Sequence, residues 1–419
     1  MMRKDHFVRK QIVVMVMSDE SNFSGVGRFL QCLLDGLSSL EKIRFCYIHL
    51  VQDKNQIFVK KIKHPHFVEV RIPLPLNMSE MIRQGYWNEA YNLSIYPYLK
   101  DLLEDGCILH LNTVNLIDLA LFLKKIKRCS IVSHLHCLPW KANYNTNRQK
   151  FNMLYELQRS GKVEQKDISR FFQIRSEADF YFKSDRIVCV TECARKFLRD
   201  ILRIPDSKIR VVYNGMRDKA GEVVHRSDTC PFQLVYVGTL SASKGLPFIL
   251  EALKLVQSRG YRVKLKIAGK TTDRMRGYLQ SKYSHLDLDF LGLVPFEVLA
   301  DIYRTSDAGI IASLQEQCSY AAIEMMMFGL PVVSTEVDGL RELFTDKTNA
   351  LLVPVKFSLL KGLGADIERM AKQIVYLMTH RLQTLCMGRN GRKQYENRYT
   401  EEVMMKNIMD VFCELDDNL

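Results

Sequence analysis

The chain has 419 residues, 47% of them hydrophobic, which suffices for two or three domains with sizeable cores. No run of about 20 apolar residues occurs, so no bilayer-spanning helix is expected. The formal net charge is +13, and residues 1–217, with 35 Lys and Arg against 22 Asp and Glu, hold all of the excess. Such asymmetry points to something anionic facing the first half, a membrane surface or a phosphorylated acceptor. Nucleic acid is disfavoured, because no basic–aromatic binding motif accompanies the charge. The local clusters are Lys60, Lys61 and Lys63; Lys124, Lys125, Lys127 and Arg128; and Arg195, Lys196 and Arg199. Each can equally be an ordinary solvated face. The 11 cysteines are scattered without a C-x-x-C pair. That argues for reduced thiols in a cytoplasm and against a disulfide framework or a zinc site. A cytoplasmic protein is expected, with peripheral contact at the inner face of the cell membrane as an extension of that reading.

The basic start is followed by an apolar run, Ile12 to Met17, too short for the core of a signal peptide, and it reads as the first strand. The candidate strands are Gln11–Met17, Phe45–Leu50, Cys107–Leu111, Ser130–Leu135, Arg186–Cys189, Ile209–Val212, Gln233–Val237, Lys264–Ala268, Leu288–Phe290, Ala308–Ile311 and Pro331–Ser334. Many are apolar at consecutive positions, the pattern of parallel strands buried on both faces. Helical stretches alternate with them, among them Gly27–Leu40, Leu116–Lys127 and Leu246–Arg259. The expected class is therefore α/β with parallel sheets. Eleven strands are many for one sheet, and the polar stretch Asn214–Asp228 is the natural break. Two doubly wound domains facing across a cleft are expected, residues 1–217 and 218–399. The segment Lys141 to Arg175, polar and basic and then helical in pattern, reads as an acceptor or membrane contact or as a plain surface helix.

Several motifs fall at strand ends. Ser21 to Arg28, S-N-F-S-G-V-G-R, follows the first strand, and its glycines permit close backbone approach to a ligand. Ser133 to Trp140, S-H-L-H-C-L-P-W, closes another strand with two histidines. Asn214-Gly215 is a turn signal. Leu234 to Leu246, L-V-Y-V-G-T-L-S-A-S-K-G-L, places Gly238, Thr239 and Lys244 after a strand. The richest stretch runs from Glu316 to Thr335, E-Q-C-S-Y-A-A-I-E-M-M-M-F-G-L-P-V-V-S-T. Ser319 to Phe328 reads as a helix closed by Gly329 and Pro331. Glu316 is then in the loop before it, and Glu324 lies inside it. The open amides of a helix start suit phosphate, and neighbouring carboxylates suit ribose or sugar hydroxyls. Together they suit a nucleotide sugar.

This last stretch resembles the E-x7-E signature of retaining glycosyltransferases of family 4 (glycosyl transferases group 1), which have the GT-B fold of two Rossmann-like domains. I-A-G-K from Ile267, F-L-G-L-V from Phe290, L-A-D-I-Y-R-T-S-D-A from Leu299 and T-N-A-L-L-V-P from Thr348 follow the family's order. The resemblance implies His136, Glu316 and Lys244 as catalytic residues. It implies Gly25, Gly238, Thr239, Lys244, Gly269, Leu291, Cys318, Ser319, Tyr320 and Glu324 as donor-binding residues. Lys244 would neutralise the diphosphate leaving group, Glu316 would hold sugar hydroxyls and Glu324 the ribose. His136 would touch the sugar, with His134 the second choice and His110 a packing residue. Front-face attack would then retain configuration without a protein nucleophile. No D-x-D motif stands at a strand end, so no metal is expected, and no cofactor beyond the donor, a UDP-sugar with a GDP-sugar as the alternative. The acceptor would be a glycan, a lipid-linked glycan or a peptide. GT-B tails imply that the last helical stretch, Thr400 to Leu415 (about 400–419), crosses back to the first domain. Four positions depart from the pattern. Ser24-Gly25 followed by Gly27 replaces a Gly-Gly loop, Cys137 an acid, Thr239 an arginine and Ala350 a glycine. A GT-B nucleotide-sugar epimerase, which would keep the fold and the donor site, stays open, and Thr239, the incomplete Gly-Gly loop and the lopsided charge leave open a non-catalytic protein that keeps the fold to bind an anionic surface or partner.

Overall fold

Unbroken apolar runs need cover on both faces, and the chain provides it. Ile12, Val13, Val14 and Met15 of the first strand have no exposed surface, and Phe45–Val51 is buried at every position. Fully burying such side chains contributes roughly 1.5–3 kcal/mol each. The structure, a computed structural model, describes residues 8–18, 25–51, 57–74, 89–138, 160, 177, 179–221, 231–358 and 362–416. These divide into two compact units, residues 1–213 with 402–419, and residues 214–401.

The first unit holds an eight-stranded sheet. Its strands are β1 (Ile12–Ser18), β2 (Phe45–Val51), β3 (Lys60–Lys63), β4 (Val68–Pro73), β5 (Ile108–Leu111), β6 (Ser130–Leu135), β7 (Arg186–Cys189) and β8 (Ile209–Val211). They lie in the order β3-β4-β2-β1-β5-β6-β7-β8. All neighbours are parallel except β3 and β4. The second unit holds β9 (Phe232–Val237), β10 (Val263–Ala268), β11 (Asp287–Gly292), β12 (Ala308–Ile311), β13 (Val332–Thr335) and β14 (Ala350–Val353). Their order is β11-β10-β9-β12-β13-β14, parallel throughout. A separate hairpin follows, β15 (Val355–Ser358) against β16 (Gly362–Ala365). Each sheet is wound outward in both directions from an inner pair, β1 and β5 in one and β9 and β12 in the other. In open parallel sheets, ligands bind at the carboxyl ends of the strands at such a switch point. This is the two-domain Rossmann-like architecture expected from the sequence.

All eleven anticipated strands are present, with ends shifted by a residue or two. Five others are additional among the described residues. β3 reads K-K-I-K and is exposed throughout, so no apolar pattern marks it; pairing with β4 makes it a strand. β4 alternates and ends at a proline, and β14, β15 and β16 are four residues each. Gly25 is corrected from loop to helix, since Gly25–Ser38 is helical, and Gly27 lies in that helix as expected. Ser21 to Ser24 lie outside the described residues, as does nearly all of Lys141 to Arg175.

The last helix, Glu401–Asp416, belongs with the first unit from residue 402 onward. It lies so close to Gly25–Ser38 that a Cβ on Gly36 would meet Met405 Sδ at 2.5 Å. Glu414 accepts from Arg210 at 2.7 and 2.8 Å and from Arg186 Nε at 2.9 Å. Asp416 caps the backbone amides of Arg9 and Lys10 at 2.9 and 3.2 Å. Residues 402–419 carry five acids and one lysine. The first unit's charge therefore falls to +8 and the second's rises to +5, a milder asymmetry than the linear sequence suggests. Among the described residues no helix is long and apolar enough to cross a membrane, and the ten described cysteines are free thiols.

Candidate functional site

In the second unit the loops after β9 and β12 meet at the switch point. Gly269, after the neighbouring β10, has a φ of +150°, and a Cβ there would lie 1.9 Å from Gly238 O. Only glycine permits that approach. Ser241 caps a single 3-10 turn, Ala242–Lys244, by accepting from Lys244 N. Gly245 then turns the chain at φ +77°, and its Cβ position lies 1.8 Å from Ala312 O. Leu314 N donates to Ser243 O at 2.9 Å, so the two loops are stitched by backbone. The result brings Lys244 Nζ to 2.6 Å from Glu316 Oε2. Residues 72 positions apart in sequence thus form an ion pair at the carboxyl ends of two adjacent strands. Lys244 is partly exposed and Glu316 largely covered.

The helix behind this loop is Tyr320–Met327, with Ser319 as its N-cap accepting from Ala322 N. Cys318, Ser319 and Tyr320 are buried, so they offer a ligand backbone more readily than side chains. Glu324 is fully buried and accepts from Tyr303 Oη at 2.7 Å. Gly339 N donates to Glu316 O at 3.1 Å, and a Cβ on Gly339 would meet Gln317 O at 1.5 Å. Asn214 Nδ2 donates to Cys318 O at 2.9 Å, while its Oδ1 is buried without a hydrogen-bond partner among the described residues. Thr239 is exposed, and its carbonyl accepts from Tyr236 Oη at 2.9 Å. Leu291 lies within β11, one residue before its end. Tyr303, Asn214 and Gly339 were not singled out for a site. Asn214 had only a turn signal, and the other two carry none in the linear sequence.

In the first unit three histidines share one face. His110 on β5 is opposite Val132, and His134 and His136 follow at two-residue steps on and just past β6. His110 Nε2 and His134 Nδ1 are 3.1 Å apart, and the His134 and His136 rings stack at 4.2 Å. Phe29 meets both of the latter edge-on, at 4.3 and 4.7 Å, and Phe412 meets His110 at 5.4 Å. His136 Nε2 lies 2.9 Å from Asn112 Oδ1. His136 is partly exposed, whereas His110 and His134 are buried. His110 is thus a member of this cluster as well as a packing residue. Asn112 was not foreseen; only its position after an apolar strand could have signalled it.

Burial pushes His110 and His136 down to about 3 and holds His134 well below the ordinary histidine range. The unfolded chain therefore binds these protons at a higher pH than the folded one. Stability is retained above about pH 6.5 and is lost as pH falls from there toward 3, by up to about 1.4 kcal/mol per pH unit per histidine. Urea titrations at pH 7 and pH 5 are expected to show this loss, reduced in His110→Phe. An equal loss in the variant would contradict the assignment.

Among the described residues no group of three or more His, Cys, Asp or Glu is arranged to hold a metal ion. Comparison with known proteins locates two family matches. Residues 56–219 match the model described as Glycosyltransferase Family 4, and residues 231–380 the model described as Glycosyl transferases group 1. An uncharacterized glycosyltransferase of Methanocaldococcus jannaschii is 27% identical over 188 residues, 41% of this chain and 47% of that protein. The chain spans about half to two thirds of the length of the curated relatives it matches first. Among solved structures, sucrose-phosphate synthase from Thermosynechococcus elongatus superposes with a TM-score of 0.74 at 17% identity, over 97% of this chain and 99% of that one. HepE of Anabaena in complex with UDP-glucose gives 0.65 at 14% identity, over 96% and 98%. These two establish likeness of fold.

Proposed function

From a chain built of a glycosyltransferase family 4 domain and a glycosyl transferases group 1 domain, we propose an enzyme that transfers a hexosyl group from a UDP-sugar to an acceptor hydroxyl with retention of configuration. The observation that carries this reading is the Lys244–Glu316 pair beside the start of the helix Tyr320–Met327, at the switch point between β9 and β12. A lysine, open amides and two carboxylates are the chemistry a nucleoside diphosphate sugar requires. UDP is favoured because a neighbour in fold is seen with UDP-glucose.

In this reading the helix amides and Lys244 receive the diphosphate. Glu316 exchanges its ion-pair partner Lys244 for the sugar's hydroxyls, and the lysine turns to the phosphate. Glu324 serves the ribose, and Tyr303 aims it through the 2.7 Å bond. His136 is assigned to the sugar. The acceptor oxygen forms its bond to the anomeric carbon as the bond from that carbon to the β-phosphate oxygen breaks, on the same face. The acceptor's proton passes to the leaving phosphate. Lys244 offsets the charge that builds there, where a fixed cation is most effective. Calorimetry with UDP, GDP and ADP tests the donor assignment. UDP is expected to bind and to be weakened by Lys244→Ala, and binding of none of the three would contradict it.

An acceptor at an anionic membrane is supported by one basic cluster rather than three. Lys124 pairs with Asp185, Lys127 and Arg128 lie near Asp105, Arg195 pairs with Asp206, and Arg199 with Asp200. Lys60, Lys61 and Lys63 on the edge strand β3 are exposed and have no ion pair among the described residues. Ile57, 72% exposed, lies just before them. Each lysine near an anionic leaflet contributes about 1 kcal/mol. Vesicles containing phosphatidylserine are expected to co-sediment the chain at low salt, and Lys60→Glu, Lys61→Glu and Lys63→Glu together to abolish it. Undiminished co-sedimentation of the triple variant would contradict the role of β3.

A further inference from the structure

Asn112 stands directly after β5, at the switch point of the first unit, and its amide has one orientation. Its Nδ2 donates to Met15 O and to His110 O, both at 3.3 Å. Both contacts are acceptors, so the amide nitrogen faces them and Oδ1 faces the other way. His136 Nε2 lies 2.9 Å from that oxygen. Oδ1 only accepts, so Nε2 must carry the hydrogen.

We propose that Asn112 is a positioning residue that fixes His136 as the Nε2–H tautomer and leaves Nδ1 a bare acceptor for a hydroxyl of the bound sugar. Two further features support it. His136 makes no other hydrogen bond with the described residues, and it is the one partly exposed ring of the three. Its stacking on His134 and its edge-on contact with Phe29 fix the ring plane, so that Nδ1 has a defined direction. Burial keeps the ring neutral, since its proton affinity is pushed down to about 3. A neutral ring whose N–H is already engaged offers a lone pair. That suits a sugar hydroxyl, which donates, and is unfavourable toward a carboxylate or phosphate oxygen, which also only accepts. The paired histidines behind it reinforce the restriction. His110 Nδ1 and His134 Nε2 are buried with no hydrogen-bond partner among the described residues, so neither can take over the contact.

The use of Nδ1 rests on the donor reading above, but the tautomer does not, and it is measured without a donor. The full chain labelled with ¹⁵N-histidine is examined by long-range ¹H–¹⁵N correlation at pH 7, with His136→Gln used to assign the ring. The expected wild-type spectrum shows a pyrrole-type Nε2 and a pyridine-type Nδ1. Asn112→Leu is expected to shift both resonances toward the averaged values of exchanging tautomers, and Asn112→Asp, which retains an acceptor, to keep Nε2 protonated. A protonated Nδ1 in the wild type overturns the proposal whether or not the variants fold. So does an unchanged spectrum in Asn112→Leu. If the tautomer is as stated and the chain binds no nucleotide sugar, the donor reading fails and the positioning role stands.

Discussion

Lys244→Ala is expected to lower the rate of sugar transfer by about 10²–10³-fold, the scale seen when one preorganised charge-stabilising group is removed. The stability of the protein should barely change. The lysine is more than a third exposed and its pair with Glu316 lies near solvent, where such pairs contribute little. The loss should fall mainly on kcat, because charge on the β-phosphate grows as the bond to the sugar breaks and is smaller in the bound donor. Lys244→Arg should recover part of it. The measurement is single-turnover consumption of a UDP-sugar at saturating donor. An unchanged rate would remove Lys244 from the chemistry, and a loss confined to KM would make it a binding residue only. The same loop carries Thr239 where the family resemblance implies an arginine. Lys244 is therefore expected to carry a larger share of the charge than one member of a pair.

Glu324 should behave differently. Glu324→Ala is expected to weaken nucleotide-sugar binding by about 10–100-fold, the scale of a lost hydrogen bond to a charged group. It should also destabilise the fold. Glu324 is fully buried, and its removal leaves a cavity and deprives the Tyr303 hydroxyl of its 2.7 Å partner. Alanine thus mixes two effects that a reading of the linear sequence treats as one. Glu324→Gln separates them, because it fills the same volume and still accepts from Tyr303. It is expected to keep most of the stability and to weaken binding by a smaller factor. Tyr303→Phe should raise KM with little change in kcat, since it frees the carboxylate to reorient. Calorimetry beside urea titration reads both quantities. Full affinity in Glu324→Ala would contradict the assignment.

The strands were legible where burial is two-sided. β1 and β12 carry the apolar runs I-V-V-M-V-M and A-G-I-I because burial on both faces admits little else, and the sequence shows such runs directly. β3 was not legible, since three lysines in four residues encode an edge and not a core. The helix Tyr320–Met327 was marked by Ser319 at its start and Gly329 and Pro331 beyond its end, and the structure places the cap at Ser319. Gly25 misled because glycine suggests a loop, whereas the chain there is already helical. What the sequence could not display were partners distant along the chain. The 72-residue separation of Lys244 and Glu316, the contact of Asn214 with Cys318, and the convergence of His110, His134 and Asn112 on His136 exist only once the strands are in register. The charge asymmetry was overstated for the same reason, because the acidic last helix returns to the basic unit.

The most direct test of the account is release of free nucleotide from matched UDP-, GDP- and ADP-sugars, with wild type and Lys244→Ala side by side. Wild type is expected to release UDP from one UDP-sugar, faster when acceptor-bearing lipid or glycan is supplied, and Lys244→Ala to do so at least about a hundredfold more slowly. No release from any donor, together with no binding of any donor by calorimetry, would contradict it.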